Sequence, residues 1–363
     1  MTGVALACLA LLAYTYLGYP VLIALLARGF PMRLRRDADY EPSVSVLIPV
    51  FNAEAHVGPK LESLLALDYP MEKLEILVYS DASSDGSDRA VEAFAARHAD
   101  LHLLRADRRS GKPAGINRML ETASGEVLLM TDIRQPLDPG ALRALVAPLA
   151  DPSVGAVSGN LVLRGRSGAG LYWRYERWLR HSEGTFRSMV GVTGAIYTLR
   201  RRDLEPLPTD IILDDMWVPL KLRLRRMKIV FEERAVAHDD AFQDPQEFQR
   251  KVRTLAGNYQ LFARLPRLLV PVLNPSFFEF MSHKVFRLLC PWALLALAAV
   301  SIAGVGNPLL ALLALGQGLF YLAALAGRRL GRPGALARTF VVLNAAAVVG
   351  LYRYLAGRHT VTW

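Results

Sequence analysis

Four short polar clusters carry the side chains with chemical potential. They are Pro49-Val50-Phe51-Asn52, then Ser80-Asp81-Ala82-Ser83-Ser84-Asp85-Gly86, then Arg108-Arg109-Ser110-Gly111-Lys112 with Asn117 a helical turn further on, and finally Thr131-Asp132. Carboxylates at Asp81 and Asp85 would accept hydrogen bonds from a base or a ribose. Lys112 would meet a phosphate. Asp132 offers the oxygen that hard divalent cations prefer. Taken singly, each cluster has an ordinary explanation: Asp-Gly pairs are common in turns, and Ser-Asp pairs cap helices. Their shared position is what sets them apart.

Each cluster ends an apolar run. Val44–Pro49, Glu75–Ser80, Leu101–Arg105 and Glu126–Thr131 read as strands. Glu54–Leu67, Ser87–Arg97, Ala114–Ala123 and Pro139–Leu149 show helical spacing of apolar residues. This βαβα order predicts an α/β domain over residues 40–270, with a mainly parallel sheet flanked by helices on both faces. Ligands of such sheets sit at the C-terminal strand ends, where all four clusters fall.

The flanks are apolar. Of the 363 residues, 52% are hydrophobic and 21% charged, with a mean hydropathy of +0.23. Val4 to Ala27 holds no charge and is long enough to span a bilayer of ~30 Å. Residues 1–28 therefore read as a transmembrane helix. It has no basic residue before it, as a cleaved signal would, and Arg28, Arg33, Arg35 and Arg36 come directly after it. Those arginines predict that the chain beyond them is cytoplasmic, placing the protein as a multi-pass chain in the cell inner membrane. Residues 271–289 mix Phe277, Phe278 and Phe280 with His283, Lys284 and Arg287, the pattern of an interfacial helix, with an ordinary buried helix as the plainer reading. Residues 290–363 hold two spans around Gly306-Asn307-Pro308. A third stretch, Thr339–Leu351, either crosses or stays at the interface. The formal net charge of +10 fits an anionic membrane or a phosphorylated substrate. No nucleic-acid motif accompanies it, and Cys8 and Cys290 form no metal or disulfide pattern.

In this order the motifs resemble glycosyltransferase family 2, a GT-A fold family that includes cellulose, chitin, hyaluronan and poly-N-acetylglucosamine synthases. Gly191-Val192-Thr193-Gly194-Ala195 looks like its acceptor-side loop, Leu213-Asp214-Asp215 like its Thr-Glu-Asp motif, and Arg250 to Thr254 stands where Gln-x-x-Arg-Trp belongs. The resemblance implies an inverting transfer of a sugar from a nucleotide-sugar donor to a lipid-linked or glycan acceptor. It places Pro49, Asn52, Asp81, Lys112, Asn117, Asp132, Arg134, Arg250 and Arg253 on the donor side. Thr193, Gly194 and Asp214 fall on the acceptor side, with Asp215 as general base and Mg²⁺ or Mn²⁺ at Asp132.

The pattern is broken in two places. Asp-x-Asp is Asp132-Ile133-Arg134 here, so Arg134 replaces part of the metal's charge or another ligand completes the site. His238 is the candidate for that ligand, against the plainer reading of a hydrogen-bonded loop histidine. The aromatic residue of Gln-x-x-Arg-Trp is Thr254, which weakens the case for a processive synthase. The aromatic stretch Tyr172–Arg180 reads as a packing face or as acceptor contact. Membrane lipids are the expected surroundings, and polymer export through so few spans would need a homo-oligomer or a partner. The rival reading is a membrane scaffold that keeps the fold without turnover.

Overall fold

The computed structural model describes residues 1–164, 170–240 and 244–358. The last five residues of the expected C-terminal segment lie outside it.

The N-terminal apolar run forms α1 (Thr2–Ala13) and α2 (Tyr19–Gly29), joined without a break by a π-helical turn. The α/β domain comes next: β1 (Val44–Val50), α3 (Glu54–Leu65), β2 (Leu74–Ser80), α4 (Ser87–Ala95), β3 (Leu101–Arg105), α5 (Lys112–Thr122), β4 (Val127–Met130), α6 (Ala141–Val146), β5 (Val154–Arg164), α7 (Gly170–Phe186), β6 (Tyr197–Arg200), α8 (Asp214–Leu224), β7 (Lys228–Asp240) and α9 (Asp244–Arg264). Through α5 the expected elements are present with ends moved by at most two residues. β7 is long because its second half continues to pair with β5, from Asn160 onward, after a register shift.

The seven strands lie in the order β3-β2-β1-β4-β6-β5-β7. β1 runs parallel to β2 and β4, while β6 is antiparallel to both β4 and β5. Alternation sorts the central strand between two cores. Val44, Val46, Ile48 and Val50 pack with Leu61 and Leu64 of α3 and Leu142 and Leu145 of α6. Leu47 faces the other way, toward Ile116 and Met119 of α5. Both faces are buried, as a parallel sheet requires.

Among the described residues, three helical stretches are long and apolar enough to cross a membrane: Thr2–Gly29, Phe277–Ala303 and Pro308–Leu355. The second contains α10 (Phe277–Phe280), a π-helical turn at Met281–Val285, and α11 (Phe286–Ala303). The expected interfacial helix at 271–289 is therefore not a separate element. Two of its polar residues turn toward acidic side chains of α7, with His283 Nδ1 2.7 Å from Glu183 and Arg287 paired with Glu176. The amphipathic pattern thus marks a buried ion-pair face. The third stretch is split at Gly327 and Gly331, both at positive φ, into α12 (Pro308–Ala326) and α13 (Gly331–Leu355). α1, α11 and α12 meet through Ala5, Leu297 and Leu310, while Leu312, Leu315, Leu322 and Leu325 remain exposed.

α13 lies along α9, on the α/β-domain side of the helices. At their crossing, a Cβ on Gly350 would sit 3.0 Å from the Ala256 amide and 3.1 Å from the Val252 carbonyl oxygen. Gly350→Val should push the two helices apart and cost about 1–3 kcal/mol, as overpacking of a close contact does. Thermal unfolding in detergent would show it as a lowered midpoint against wild type.

Candidate active site

The strand ends form one surface, and three loops meet there. Lys112, the first residue of α5, points its Nζ 2.8 Å from Asp132 Oδ1 and 3.1 Å from Asp214 Oδ2. Asp132 comes just after β4, and Asp214 opens α8. Burial works against the charge of Lys112, but Asp132 and Asp214 outweigh it, with Asp215 adding to them, so its pKa is raised. Burial and then the Asp214 carboxylate push Asp215 up to about 6, with Lys112 pulling the other way. Its backbone carbonyl accepts from the Val192 N–H at 3.1 Å, which locks the Gly-rich loop beside it.

Gly194 keeps the space between the carboxylates open. A Cβ there would lie 3.5 Å from Asp215 Oδ2 and 3.6 Å from Asp132 Oδ2. Thr193 is buried and donates its N–H to Ser158 Oγ at 3.1 Å, so it shapes this loop from behind. Asp214, expected on the acceptor side, instead shares Lys112 with Asp132.

The remaining expected residues divide into those that face this space and those that brace it. Asp81 is wholly buried, and its carboxylate accepts from the Ser110 N–H at 2.6 Å and the Gly111 N–H at 3.1 Å. It holds the loop that delivers Lys112. Asn117 uses both ends of its amide on the Leu207 backbone, at 2.7 and 2.8 Å, and so clasps α5 to that segment. Asn52, with a φ of 44°, accepts the Ser84 N–H at 2.8 Å and bridges the first two strand-end loops. Ala82 also has positive φ, a strained state for a residue with a Cβ. Pro49 sits in β1 opposite Tyr79, beyond the last residue that pairs with β4.

Arg134 and His238 are placed differently from expectation. Arg134 Nη2 lies 3.1 Å from Asp239 Oδ1, and Gln135 Nε2 reaches the other oxygen of Asp239 at 2.7 Å. His238 lies inside β7, not after it, with Nε2 2.7 Å from Asp138 Oδ1. Both are drawn to carboxylates made adjacent by the lengthened β7. α9 is held against the segment before Asp214 by Gln260, whose Oε1 accepts the Ile212 N–H at 2.9 Å. Arg253, two turns earlier on α9, has its Nε buried with no hydrogen-bond partner. Arg250 lies one turn before it. Among the described residues no three His, Cys, Asp or Glu side chains are arranged to hold a metal alone. Asp132, 39% exposed at its side chain, nevertheless fits a cation of the magnesium class, which takes one or two carboxylates and completes its shell with substrate phosphates and water.

One residue at this site gave no sequence signal. Lys60 of α3 is fully buried, and its Nζ donates to Thr131 Oγ1 at 2.7 Å and to the Gln135 carbonyl at 2.6 Å. Thr131 Oγ1 in turn donates to the Ala195 carbonyl at 2.6 Å. The lysine thus pins both ends of the Asp132–Arg134 turn and, through Thr131, the loop of Gly194. In the sequence it reads as an exposed helix cation. Burial pushes its pKa down to about 7 from 10.5, with Asp132 partly opposing. Between those values the unfolded chain binds the proton and the folded chain does not, so this group's contribution to stability grows as pH rises. Lys60→Met should cost about 1–3 kcal/mol through the two acceptors left without a donor. Its deficit against wild type in thermal unfolding should widen from pH 7 to pH 9.

Comparison with known proteins agrees with this geometry. Residues 45–206 match the family model Glycosyl transferase family 2. Glycosyltransferase AglE of Haloferax volcanii is 26% identical over 175 residues, 47% of this chain and 58% of that protein. Poly-beta-1,6-N-acetyl-D-glucosamine synthase of Staphylococcus epidermidis is 27% identical over 203 residues, 53% of this chain and 48% of that protein. The chain thus spans about half the length of these curated relatives. A mannosyltransferase from Pyrobaculum calidifontis, solved in complex with GDP-Man and Mn²⁺, superposes with a TM-score of 0.78 at 29% identity, covering 98% of this chain and 100% of that one. Residues 45–206 thus match a family 2 glycosyl transferase domain, and the mixed sheet with its strand-end acidic loops is of GT-A architecture.

Proposed function

We propose that this chain is an inverting, membrane-anchored glycosyltransferase that moves a sugar from a nucleotide-sugar donor to a lipid-linked or glycan acceptor at the cytoplasmic membrane face. The observation that carries this reading is Asp215: a half-buried carboxylate with a pKa raised to about 6, facing the open space above Gly194 opposite Asp132. A general base should titrate near working pH, and this one is ionised at pH 7 yet basic enough to accept a proton.

Asp215 takes the proton of the acceptor hydroxyl as that oxygen bonds to the anomeric carbon from the face opposite the leaving group. The anomeric carbon–oxygen bond to the diphosphate breaks, and the nucleoside diphosphate leaves with the electron pair. Lys112 lies on the donor side and stabilises that growing negative charge. Arg253, with a buried donor lacking an internal partner, is suited to the same oxygens. Mg²⁺ or Mn²⁺, when bound by Asp132 and the donor phosphates, would add positive charge at the leaving group. Lys60 and Asp81 hold the two loops that carry Asp132 and Lys112, so the charges need no rearrangement on binding.

Asp215→Asn should lower turnover about 10²–10⁴-fold while leaving nucleotide binding intact. The test is release of nucleoside diphosphate from UDP-, GDP- and dTDP-sugars by protein in lipid. For the active donor, kcat/KM should fall below about pH 6, where Asp215 takes up its proton. Lys112→Met removes a charge that favours the ionised base, so it should shift that limb to higher pH as well as slow turnover. Chelation should abolish activity, with Mn²⁺ or Mg²⁺ restoring it, and Asp132→Asn should raise the metal concentration needed. Folded wild-type protein that turns over no donor in the presence of native lipids would favour the scaffold.

A further inference from the structure

Two cavities lie outside the site described above and share a wall. The outer one, about 260 Å³, runs between the end of β5 and α7. The inner one, about 160 Å³, lies where the N-terminal helix, α7, α9, the helix of α10 and α11, and α13 meet. Trp173, Glu176 and Arg180 of α7 border both.

The inner cavity is strongly cationic. Among the described residues, Arg180, Lys251, Lys284 and Arg287 line it together with the carboxylate of Glu176, and Glu183 stands behind His283. Arg287 already pairs with Glu176, whose other oxygen lies 3.5 Å from His283 Nε2. The Lys251 ammonium lies 5.0 Å from the centre of the Trp173 ring and 5.5 Å from that of Tyr172. Neither Arg180 nor Lys284 has a hydrogen-bond or ion-pair partner among the described residues. Arg180 and Lys284, held together in a partly enclosed space, repel one another unless an anion joins them.

Its depth indicates where that anion comes from. Tyr16 and Lys284 belong to the two π-helical turns, a geometry often found at functional sites. On one side of these turns α1 and α11 pack through apolar side chains and expose leucines. On the other, α2 meets the polar domain through Tyr19, whose hydroxyl donates to Glu183 at 2.6 Å. The cavity therefore lies beside the junction of the apolar helices and the polar domain, a depth suited to a lipid headgroup. The route onward is also short. α7 leads into the loop whose Val192 amide holds Asp215, and the Arg180 charge favours ionised Asp215.

We propose that the inner cavity binds the phosphate or diphosphate of a lipid-linked acceptor, with Lys284, Lys251 and Arg180 as counter-charges. The glycan beyond that phosphate passes Arg180 toward Asp215. Naming the ligand an acceptor rests on the transferase reading above; the binding of a lipid phosphate does not.

Full-length protein in phosphatidylcholine nanodiscs, titrated with undecaprenyl phosphate and read by native mass spectrometry, tests the assignment. One lipid phosphate should bind per chain. Lys284→Gln and Lys251→Gln should each weaken binding tenfold or more, and Lys284→Arg should restore it. Melting midpoints, and their shift on adding GDP or UDP, show whether each variant is folded. Unchanged affinity in both glutamine variants would overturn the site. Equal competition by phosphatidylglycerol would make it a site for bulk anionic lipid and overturn the acceptor assignment. Binding is read with no donor present, so a chain that turned over no nucleotide sugar would sink the transferase reading without deciding this result.

Discussion

The ammonium of Lys112 lies between two carboxylates from different parts of the chain, Asp132 after β4 and Asp214 at the head of α8. Removing this charge would leave the Asp132, Asp214 and Asp215 carboxylates facing one another in a largely buried space. Much of the surrounding architecture delivers that lysine. Asp81 grips the loop before it through backbone amides, and Asn117 fastens its helix to the Leu207 segment. Lys60 acts in parallel from the far side, fixing the turn that presents Asp132. The carboxylates therefore face the open space above Gly194 with their spacing already determined by interior contacts.

Much of the fold was legible from periodicity. The strand runs of the parallel half are short, apolar and bounded by polar clusters, and the cores of both faces match their alternation. The long β7 was harder, because its second half, Glu233 to Asp240, is polar at both ends with only a short apolar run between, and it is a strand by pairing with β5 from Val236 onward. That extension misled the reading of the site as well. It brings Asp239 to Arg134 and puts His238 on Asp138, contacts between residues about a hundred positions apart that no local pattern records. Asp81 and Asn117 carried a motif signal, but motif position does not say whether a polar side chain faces ligand or backbone. Lys60 was invisible for the converse reason: a lysine on an amphipathic helix looks solvated until its acceptors are known.

The membrane side shows the same limit. Hydropathy located all three apolar stretches, yet charged residues in 277–289 read as a surface pattern when they face Glu176 and Glu183. The two open readings of the last stretch differ in whether its end leaves the α/β domain. Packing of Gly350 against α9, with Arg353 Nη2 2.9 Å from Gln249, keeps that end beside the domain. What had looked like separate anchor and enzyme is one packed unit, with acidic side chains of α7 serving both.

The segment after the N-terminal helix is fastened at several points. The Met32 amide donates to the Thr185 carbonyl at 2.6 Å, Arg36 pairs with Glu232, and the Asp37 amide reaches the Ala147 carbonyl at 3.2 Å. No slack chain lies between bilayer and domain, so the domain has little freedom to rise or tilt. Under the proposed transfer to a membrane-held acceptor, a site held this way works as a ruler: it would meet only groups that project one set height from the lipid surface, and a glycan grown past that height would be released by geometry alone.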